Sequence, residues 1–276
     1  HNVLLRRFTL SVGVLANYNS ALNEGIHFYP GIDASYRIGD NFRLYGSWNR
    51  ALRMPTFTDL YYEGKTNKGN PDLKPEESEA FEVGLKYNTY FLRAHIAGFY
   101  RKGKNMIDWV KEKPEDIWES QNLTKVDNLG FETNLSLLPR ELGNERFFIR
   151  KIELGYAFIH QDKDSEGYIS NYALDYLKHK FTAQLSHSIW KGFSATWYVR
   201  WQDRAGSYTK YENLKPAYEE PYAPYCLVDM KVNWEYQRLN LYAELNNLLN
   251  STYYDLGNIP QPGIWFKAGF RYSFKY

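Results

Sequence analysis

PGIWFKAGFRYSFKY, residues 262–276, alternates strictly between two kinds of side chain. From Ile264 to Tyr276 the even positions are apolar or aromatic, and the odd positions are mostly polar, with Lys267 and Arg271 near the middle. This period of two predicts a β-strand with one apolar face. Strands of soluble sandwiches usually have about five or six residues, whereas a tilted strand that crosses a bilayer is longer. A one-residue slip would turn Lys267 and Arg271 toward lipid, at about 2–4 kcal/mol each.

The same alternation recurs along the chain and predicts an all-β protein. We expect twelve strands, at 7–18, 28–38, 41–50, 78–88, 91–108, 117–138, 149–161, 176–189, 192–204, 224–236, 238–246 and 263–276. Their number fits a small closed barrel or a part of a larger one, and the periodicity alone favours neither.

Connections of two lengths alternate between these strands. Short turns are expected at 39–41, 88–90, 190–192 and 236–238, and longer loops at 51–77, 162–175, 205–223 and 247–262. Short turns on one side and long loops on the other are typical of a transmembrane antiparallel β-barrel in the bacterial outer membrane. The C-terminal strand would then end on the periplasmic side, with the long loops outside the cell.

Composition favours a barrel that contacts lipid and argues against transmembrane helices. The mean hydropathy is −0.61, and aromatic residues make up 18% of the chain, including 25 Tyr and 8 Trp. Interfacial girdles of Tyr and Trp would explain this surplus. The net charge of +2 gives no reason to expect a nucleic-acid partner. The single cysteine, Cys226, permits no internal disulfide. The chain begins at His1 without a signal peptide, so we expect an N-terminal part to precede it.

The segment ALRMPTFTDLYYEGKTNKGNPDLKPEESEAFEVGLKY, residues 51–87, contains two dense motifs. It resembles the TonB-dependent receptor family, in which an arginine–proline–aromatic cluster and an "ELY"-like segment precede "GNP-LKPE" and a strand of the form "E-G-KY". The matching residues are Arg53, Pro55, Phe57, Asp59, Leu60, Tyr61, Gly69, Asn70, Pro71, Leu73, Lys74, Pro75, Glu76, Glu82, Gly84 and Tyr87. Residues 245–274 are similar to the last two strands of that family.

The resemblance implies a transport and binding protein with no catalytic chemistry and no cofactor. These would be the last twelve strands of a twenty-two-strand plugged barrel, with the plug domain and the first ten strands before His1. It also implies energy from a TonB complex, which would act through the missing N-terminal part. A surface lipoprotein that caps the loops is a further expected partner.

The ligand implied by the resemblance is a large, scarce nutrient. Residues 51–77 contain no histidine, which argues against haem. The loop sequences look most like cobalamin receptors of the Bacteroidetes type, and a ferric siderophore is the alternative. Polar-tipped aromatic side chains suit a large amphipathic ligand, although they also suit a girdle or loop packing. The candidate ligand-binding residues are Tyr61, Tyr62, Lys65, Lys68, Tyr208, Lys210, Tyr211, Tyr253 and Tyr254.

The loop motif also has a structural interpretation, as a brace for a long loop. Its members in that role are Arg53, Pro55, Phe57, Asn70, Pro71, Lys74, Pro75 and Glu76. The three prolines remove backbone donors and hold the preceding residues extended, so we expect no helix here. Asn70-Pro71 favours a turn, and Lys74 and Glu76 are expected to pair.

Two local signals suggest other functions. Asp162, Asp164 and Glu166 resemble the first half of a calcium loop, but its twelfth position is Ala173, which cannot close the site. His187-Ser188 invites comparison with an outer-membrane phospholipase, a twelve-strand barrel enzyme. However, adjacent residues of a strand point to opposite faces and cannot share a proton directly.

An autotransporter translocator, the third alternative, would need a helix before the first strand, and residues 1–7 are too short for one.

Overall fold

The computed structural model describes residues 2–18, 25–113, 115–143, 146–164, 167–170, 176–212 and 215–274. The strands in chain order are β1 (Asn2–Leu4), β2 (Phe8–Tyr18), β3 (Ile26–Ile38), β4 (Phe42–Arg53), β5 (Asn67–Lys68), β6 (Glu76–Asn88), β7 (Leu92–Lys111), β8 (Trp118–Leu137), β9 (Ile149–Asp164), β10 (Ile169–Ser170), β11 (Leu177–Trp190), β12 (Phe193–Arg204), β13 (Ser207–Glu212), β14 (Lys215–Pro221), β15 (Tyr225–Tyr236), β16 (Leu239–Asn246), β17 (Tyr254–Leu256), β18 (Ile259–Pro260) and β19 (Trp265–Tyr272). The helical elements in these residues are α1 (Phe57–Tyr61) and a 3-10 helix at Pro139–Leu142.

All twelve predicted strands are confirmed, with shifts at their ends. They are β2, β3, β4, β6, β7, β8, β9, β11, β12, β15, β16 and β19. The last one is shorter than predicted, since β19 covers only Trp265–Tyr272, and residues 275–276 lie outside the described structure. β4 extends to Arg53 and β6 begins at Glu76, so the loop between them is shorter than predicted. The predicted loops at 205–223 and 247–262 contain short hairpins, β13–β14 and β17–β18.

The chain divides into two compact units. The first comprises His1–Lys86, Ile96–Phe131 and Ile159–Tyr176, and its strands pair in the order β1-β2-β3-β4-β6-β7-β8. The short strand β5 pairs with β8 in parallel, and β10 pairs with β7 antiparallel. The large apolar side chains exposed on its strands include Val12, Val14, Phe28, Ile32, Phe42, Leu44, Phe81 and Val83. These occupy alternate positions, as the sequence pattern predicts for a face that contacts lipid.

The second unit comprises Tyr87–His95, Glu132–Phe158 and Leu177–Tyr276. Its strands pair in the order β9-β11-β12-β15-β16-β19. The exposed large apolar side chains on these strands include Leu154, Phe181, Leu185, Ile189, Phe193, Leu241, Phe266 and Phe270. The polar set of the same strands carries a cross-strand ion ladder: Glu244 accepts from Lys231 at 2.7 Å and from Lys267 at 2.5 Å. The sheet therefore has one apolar face and one charged face, because the side chains alternate along each strand.

Glycine in the "E-G-KY" motif makes room for a tyrosine on the polar face. A Cβ added to Gly84 would lie 2.6 Å from the ring of Tyr45. The Tyr45 hydroxyl donates to Glu82 Oε1 at 2.6 Å, and Lys86 Nζ lies 4.6 Å from the ring centroid. Glu82, Gly84 and Lys86 alternate along β6, so the motif forms a seat for one aromatic ring. The Tyr45 ring thus explains why the motif has a glycine at position 84, whereas the sequence alone only matched the motif to a family.

The loop between β4 and β6 contains the helix α1, so the prediction of a wholly extended loop is wrong. Thr56, at the N-cap, and Asp59 form a reciprocal capping box. This local signal outweighs the prolines, since Pro55 precedes the N-cap and no proline lies inside the helix. Neither helical element in the described ranges has the length or the hydropathy of a membrane-spanning helix.

Replacing Phe270 by Lys in the full-length gene product tests which face contacts lipid. Phe270 is 74% exposed on β19, directly opposite Leu241. A lysine on a lipid face costs about 2–4 kcal/mol near the bilayer midplane, so we expect impaired assembly. The measurement is the fraction of protein that shows heat-modifiable migration on electrophoresis. Phe270→Leu, which keeps the face apolar, is the control, and equal assembly of both variants would contradict this orientation.

Candidate functional site

The helix α1 is built by a capping box at the start of the 54–75 loop. Thr56 Oγ1 accepts from the Asp59 backbone N–H at 3.1 Å, and Asp59 Oδ2 accepts from the Thr56 N–H at 2.9 Å. Asp59 is buried. The box satisfies two backbone donors that a helix start would otherwise leave open, so a helix as short as α1 can form.

The loop is fastened at its base by a bidentate ion pair between Arg53 and Glu76. Arg53 Nε donates to Glu76 Oε2 at 2.6 Å, and Nη2 donates to Oε1 at 2.5 Å. Glu76, only 6% exposed, also accepts from the Ile107 backbone N–H at 2.8 Å. Arg53 lies 3.8 Å from Asp59, so one guanidinium holds the ends of two strands and the helix. Glu76 therefore pairs with Arg53 and, within the described residues, not with Lys74, so the predicted Lys74–Glu76 pair is wrong.

A second fastening joins the "GNP" turn to the helix. A Cβ on Gly69 would lie 2.8 Å from backbone atoms of Leu60 and Tyr61, so only glycine permits this approach. The Asn70 N–H donates to the Asp59 carbonyl at 2.9 Å. Asn70 Oδ1 accepts from the Asp72 N–H at 2.9 Å, which confirms the predicted turn.

β8 supplies a third fastening, which no sequence pattern predicts. The Ser120 hydroxyl, fully buried, donates to the Asp59 carbonyl at 2.5 Å. The Asn122 amide accepts from the Lys74 N–H at 2.8 Å and donates to the Lys74 carbonyl at 2.9 Å. Ser120 and Asn122 are ordinary polar residues in an alternating strand, so nothing local distinguishes them.

The braced loop presents exposed aromatic side chains. Phe57 is 83% exposed, and its ring centroid lies 6.1 Å from that of the exposed Tyr61, one helical turn later. Tyr62 is half exposed and meets Trp109 edge to face at 6.3 Å. The predicted ligand residues Lys65 and Lys68 are also exposed. A rigid base therefore carries apolar and cationic groups that are open to an incoming molecule.

The second unit contains the other predicted ligand residues, in its two short hairpins. Tyr208 is only 7% exposed, and its ring stacks on Tyr254 at 5.1 Å and an interplanar angle of 24°. Tyr222, also buried, contacts Tyr208 at 5.2 Å and accepts from the Gly257 N–H at 2.9 Å. These rings join the hairpins β13–β14 and β17–β18 to each other. Tyr211, on the same hairpin as Tyr208, is exposed.

Tyr253 lies beside a network at the start of β15. Its ring centroid is 4.6 Å from that of Tyr225, whose hydroxyl bonds to Gln202 and Asp255. Tyr253 and Tyr208 are thus held by partners in the protein, whereas Tyr61 and Tyr211 are more open.

Lys210 and Glu220 form an ion pair across the β13–β14 hairpin. Lys210 Nζ lies 2.6 Å from Glu220 Oε2. This hydrogen bond lowers the pKa of the Glu220 carboxyl and raises the pKa of the Lys210 ammonium. Burial, reinforced by the Glu220 charge, raises the pKa of the Tyr208 hydroxyl. All three groups therefore keep their ordinary charge states at neutral pH.

The calcium candidate falls partly outside the described structure. Asp162 pairs with Lys125 at 3.4 Å. Glu166 lies outside the described residues, as does the side chain of Asp164. In the described ranges, no group of three or more His, Cys, Asp or Glu side chains could hold a metal ion.

His187 and Ser188 have separate partners. The Trp197 indole N–H donates to His187 Nε2 at 3.1 Å. The Ser188 hydroxyl accepts from Arg140 at 2.6 Å and from Arg150 at 2.9 Å. Two guanidinium donors direct the serine oxygen away from the imidazole, so this arrangement is not a nucleophile–base pair.

Comparison with known proteins gives a family and a set of relatives. The family described as TonB dependent receptor-like, beta-barrel matches residues 6–248. The vitamin B12 transporter BtuB of Vibrio vulnificus is 27% identical over an alignment of 178 residues, which covers 51% of this chain and 28% of that protein. The ferrienterobactin receptor of Escherichia coli is 22% identical over 267 residues, covering 87% of this chain and 34% of that protein.

Solved structures share the fold. A ferric enterobactin receptor from Pseudomonas aeruginosa, in complex with enterobactin, superposes with a TM-score of 0.76 at 19% identity. The match covers 99% of this chain and 44% of that one. The chain thus spans less than half the length of the solved relative and 28–34% of the two curated relatives above.

Removing the guanidinium at the loop base should loosen the loop. In Arg53→Met, the buried Glu76 and Asp59 lose a shared cation. A broken buried pair costs about 3–5 kcal/mol, and we expect about 1–3 kcal/mol here because the Arg53 side chain is half exposed. The measurement is amide hydrogen exchange across residues 54–75, which should become faster while the long strands stay protected. The control is Arg50→Met, whose exposed pair with Glu77 spans 3.5 Å. Equal exchange in both variants would refute the brace.

Proposed function

Since this chain belongs to the TonB-dependent receptor-like β-barrel family, we propose that it is part of an outer-membrane transporter that takes up cobalamin. The vitamin B12 transporters of Vibrio vulnificus and Photobacterium profundum, at 27% and 25% identity, support this ligand. We expect the chain to supply barrel wall, outer loops and part of the ligand basin.

The proposal extends to parts of the protein beyond this chain. The matched relatives are much longer, which supports a plug domain and further strands in the same polypeptide. TonB-supplied energy would act on those parts. The lipid-facing residues of the second unit, such as Phe270, then hold the wall in the outer membrane while the loops take the ligand.

The main support for the proposal is the exposed aromatic surface on the loop 54–75, which is held in place at its base. Phe57, Tyr61 and Tyr62 are open to solvent, although the loop below them is fixed by the Arg53–Glu76 pair. Ordering a flexible loop on binding costs affinity, and a loop that is already fixed avoids that cost. Tyrosine rings with polar tips match a large ligand that is apolar in its plane and polar at its rim, as a corrin is.

A ferric siderophore is the second candidate. The ferrienterobactin receptor aligns with 87% of this chain, a longer match than that of the B12 transporters. The exposed Lys65 and Lys68 would complement the negative charge of a ferric catecholate. Cobalamin has no comparable concentration of negative charge. The lysines of the loop would therefore matter for a ferric catecholate, and its aromatic rings would matter for cobalamin.

Direct binding to the full-length protein distinguishes the candidates. The protein is purified in detergent from outer membranes and titrated separately with cyanocobalamin and with ferric enterobactin. Saturable, tight binding of cyanocobalamin alone supports the first proposal. Tight binding of ferric enterobactin alone overturns it in favour of the second.

Truncating the exposed rings should weaken binding without unfolding the protein. We expect Tyr61→Ala/Tyr62→Ala to bind cyanocobalamin about tenfold more weakly, since an aromatic contact at an interface centre contributes more than 1 kcal/mol. Tyr90→Ala, an exposed tyrosine in the short turn between β6 and β7, is the control and should bind normally. An unchanged dissociation constant for the double variant would remove this loop from the ligand basin.

A further inference from the structure

A cavity of about 400 Å³ with both polar and apolar lining residues lies at the end of β16 in the second unit. β12, β15, β16, β19 and the loop 247–262 all contribute to its lining. The strand register explains why, because Asn246 is the Cα partner of Trp265 and Arg200 is the partner of Leu227. Tyr253, from the loop, completes the wall.

The side-chain amide nitrogen of Asn246 has no partner among the described residues. This atom, Nδ2, is shielded from solvent. A buried donor without a partner costs about 1–3 kcal/mol. Asn246 also lines the cavity, so its amide lies close to any group that is bound there. A ligand group with an acceptor would therefore relieve a cost that the folded protein carries.

Two opposite charges line the same cavity. Arg200 is one of the lining residues and has no ion-pair partner among the residues that the structure describes. Asp229 uses Oδ1 to accept from the Asn247 N–H at 2.7 Å, which fixes the carboxylate in place. The cavity thus offers amide and guanidinium donors together with a carboxylate acceptor.

We propose that this cavity binds a primary carboxamide group of the ligand. A carboxamide carbonyl can accept from Asn246 and Arg200, while its NH₂ can donate to Asp229. A carboxylate or phosphate would be attracted by Arg200 but repelled by Asp229, and an ammonium would be attracted by Asp229 but repelled by Arg200, whereas a neutral carboxamide can hydrogen-bond to both. Tyr253 and Trp265 supply aromatic walls beside these polar groups. The inference rests on the proposed function, because cobalamin carries primary amides around the corrin and ferric enterobactin carries none.

The test uses the full-length protein and two kinds of ligand. One is cyanocobalamin, and the others are its monocarboxylic acids, in each of which one peripheral amide is hydrolysed. The wild type should bind at least one of these acids about tenfold more weakly than cyanocobalamin. Asp229→Asn, which removes the repelling charge, should restore most of that loss for the same acid.

A second variant separates binding from stability. Asn246→Leu should bind cyanocobalamin about five- to tenfold more weakly, while its melting temperature stays at or above the wild-type value, because no hydrogen bond of the protein is lost. The control is Asn240→Leu, on the same face of β16, whose amide bonds to Glu235. Its affinity for cyanocobalamin should match that of the wild type.

The outcomes separate the carboxamide site from the transport proposal. If the wild type binds cyanocobalamin but Asn246→Leu binds it equally and every acid binds like the amide, the carboxamide site is wrong and the cobalamin proposal stands. If the wild type does not bind cyanocobalamin, both fall.

Discussion

The structure depends on the pairing of strands that have two chemically different faces. Each backbone N–H and C=O in a bilayer must be satisfied by a neighbouring strand, and the alternation of side chains then fixes the register. In the second unit, Leu241 lies opposite Phe270 on the apolar face, and Glu244 lies opposite Lys267 on the polar face. A slip of one residue would exchange these environments. Strand pairing, lipid contact and the cross-strand ion ladder are therefore satisfied by a single register.

That register also positions the loops. Because β4 and β6 are neighbours, Arg53 and Glu76 end side by side and can pair across the base of the loop between them. The pair carries little stability of its own once desolvation is counted, since the carboxylate is buried. Its effect is geometric: with Asp59 and Ser120, it fixes where the exposed face of α1 points.

Sequence patterns predict the strands because strand periodicity is a local property that each residue pair repeats. They predict the loop motif only as a brace of unknown geometry. The Thr56–Asp59 spacing is compatible with a capping box, but the nearby prolines favour an extended loop. Ser120 and Asn122 could not be predicted, since their roles arise from a loop that packs on them from more than 45 residues away. Tyr208 and Tyr61 look alike in sequence, and only packing shows that one is buried and the other exposed.

The adjacent residues Asn246 and Asn247 show how far one residue type can diverge in role. Asn247 is fully engaged: its backbone binds Asp229, and its amide binds the Ser251 N–H and C=O, which supports its left-handed conformation at φ 51°. Asn246, one position earlier, is still on the strand and on its polar face, and its donor has no such partner in the described residues. A loop needs one asparagine to turn the chain. Asn246 is not needed for the turn. Its amide, together with the neighbouring charges of Arg200 and Asp229, can therefore bind a group from outside the chain.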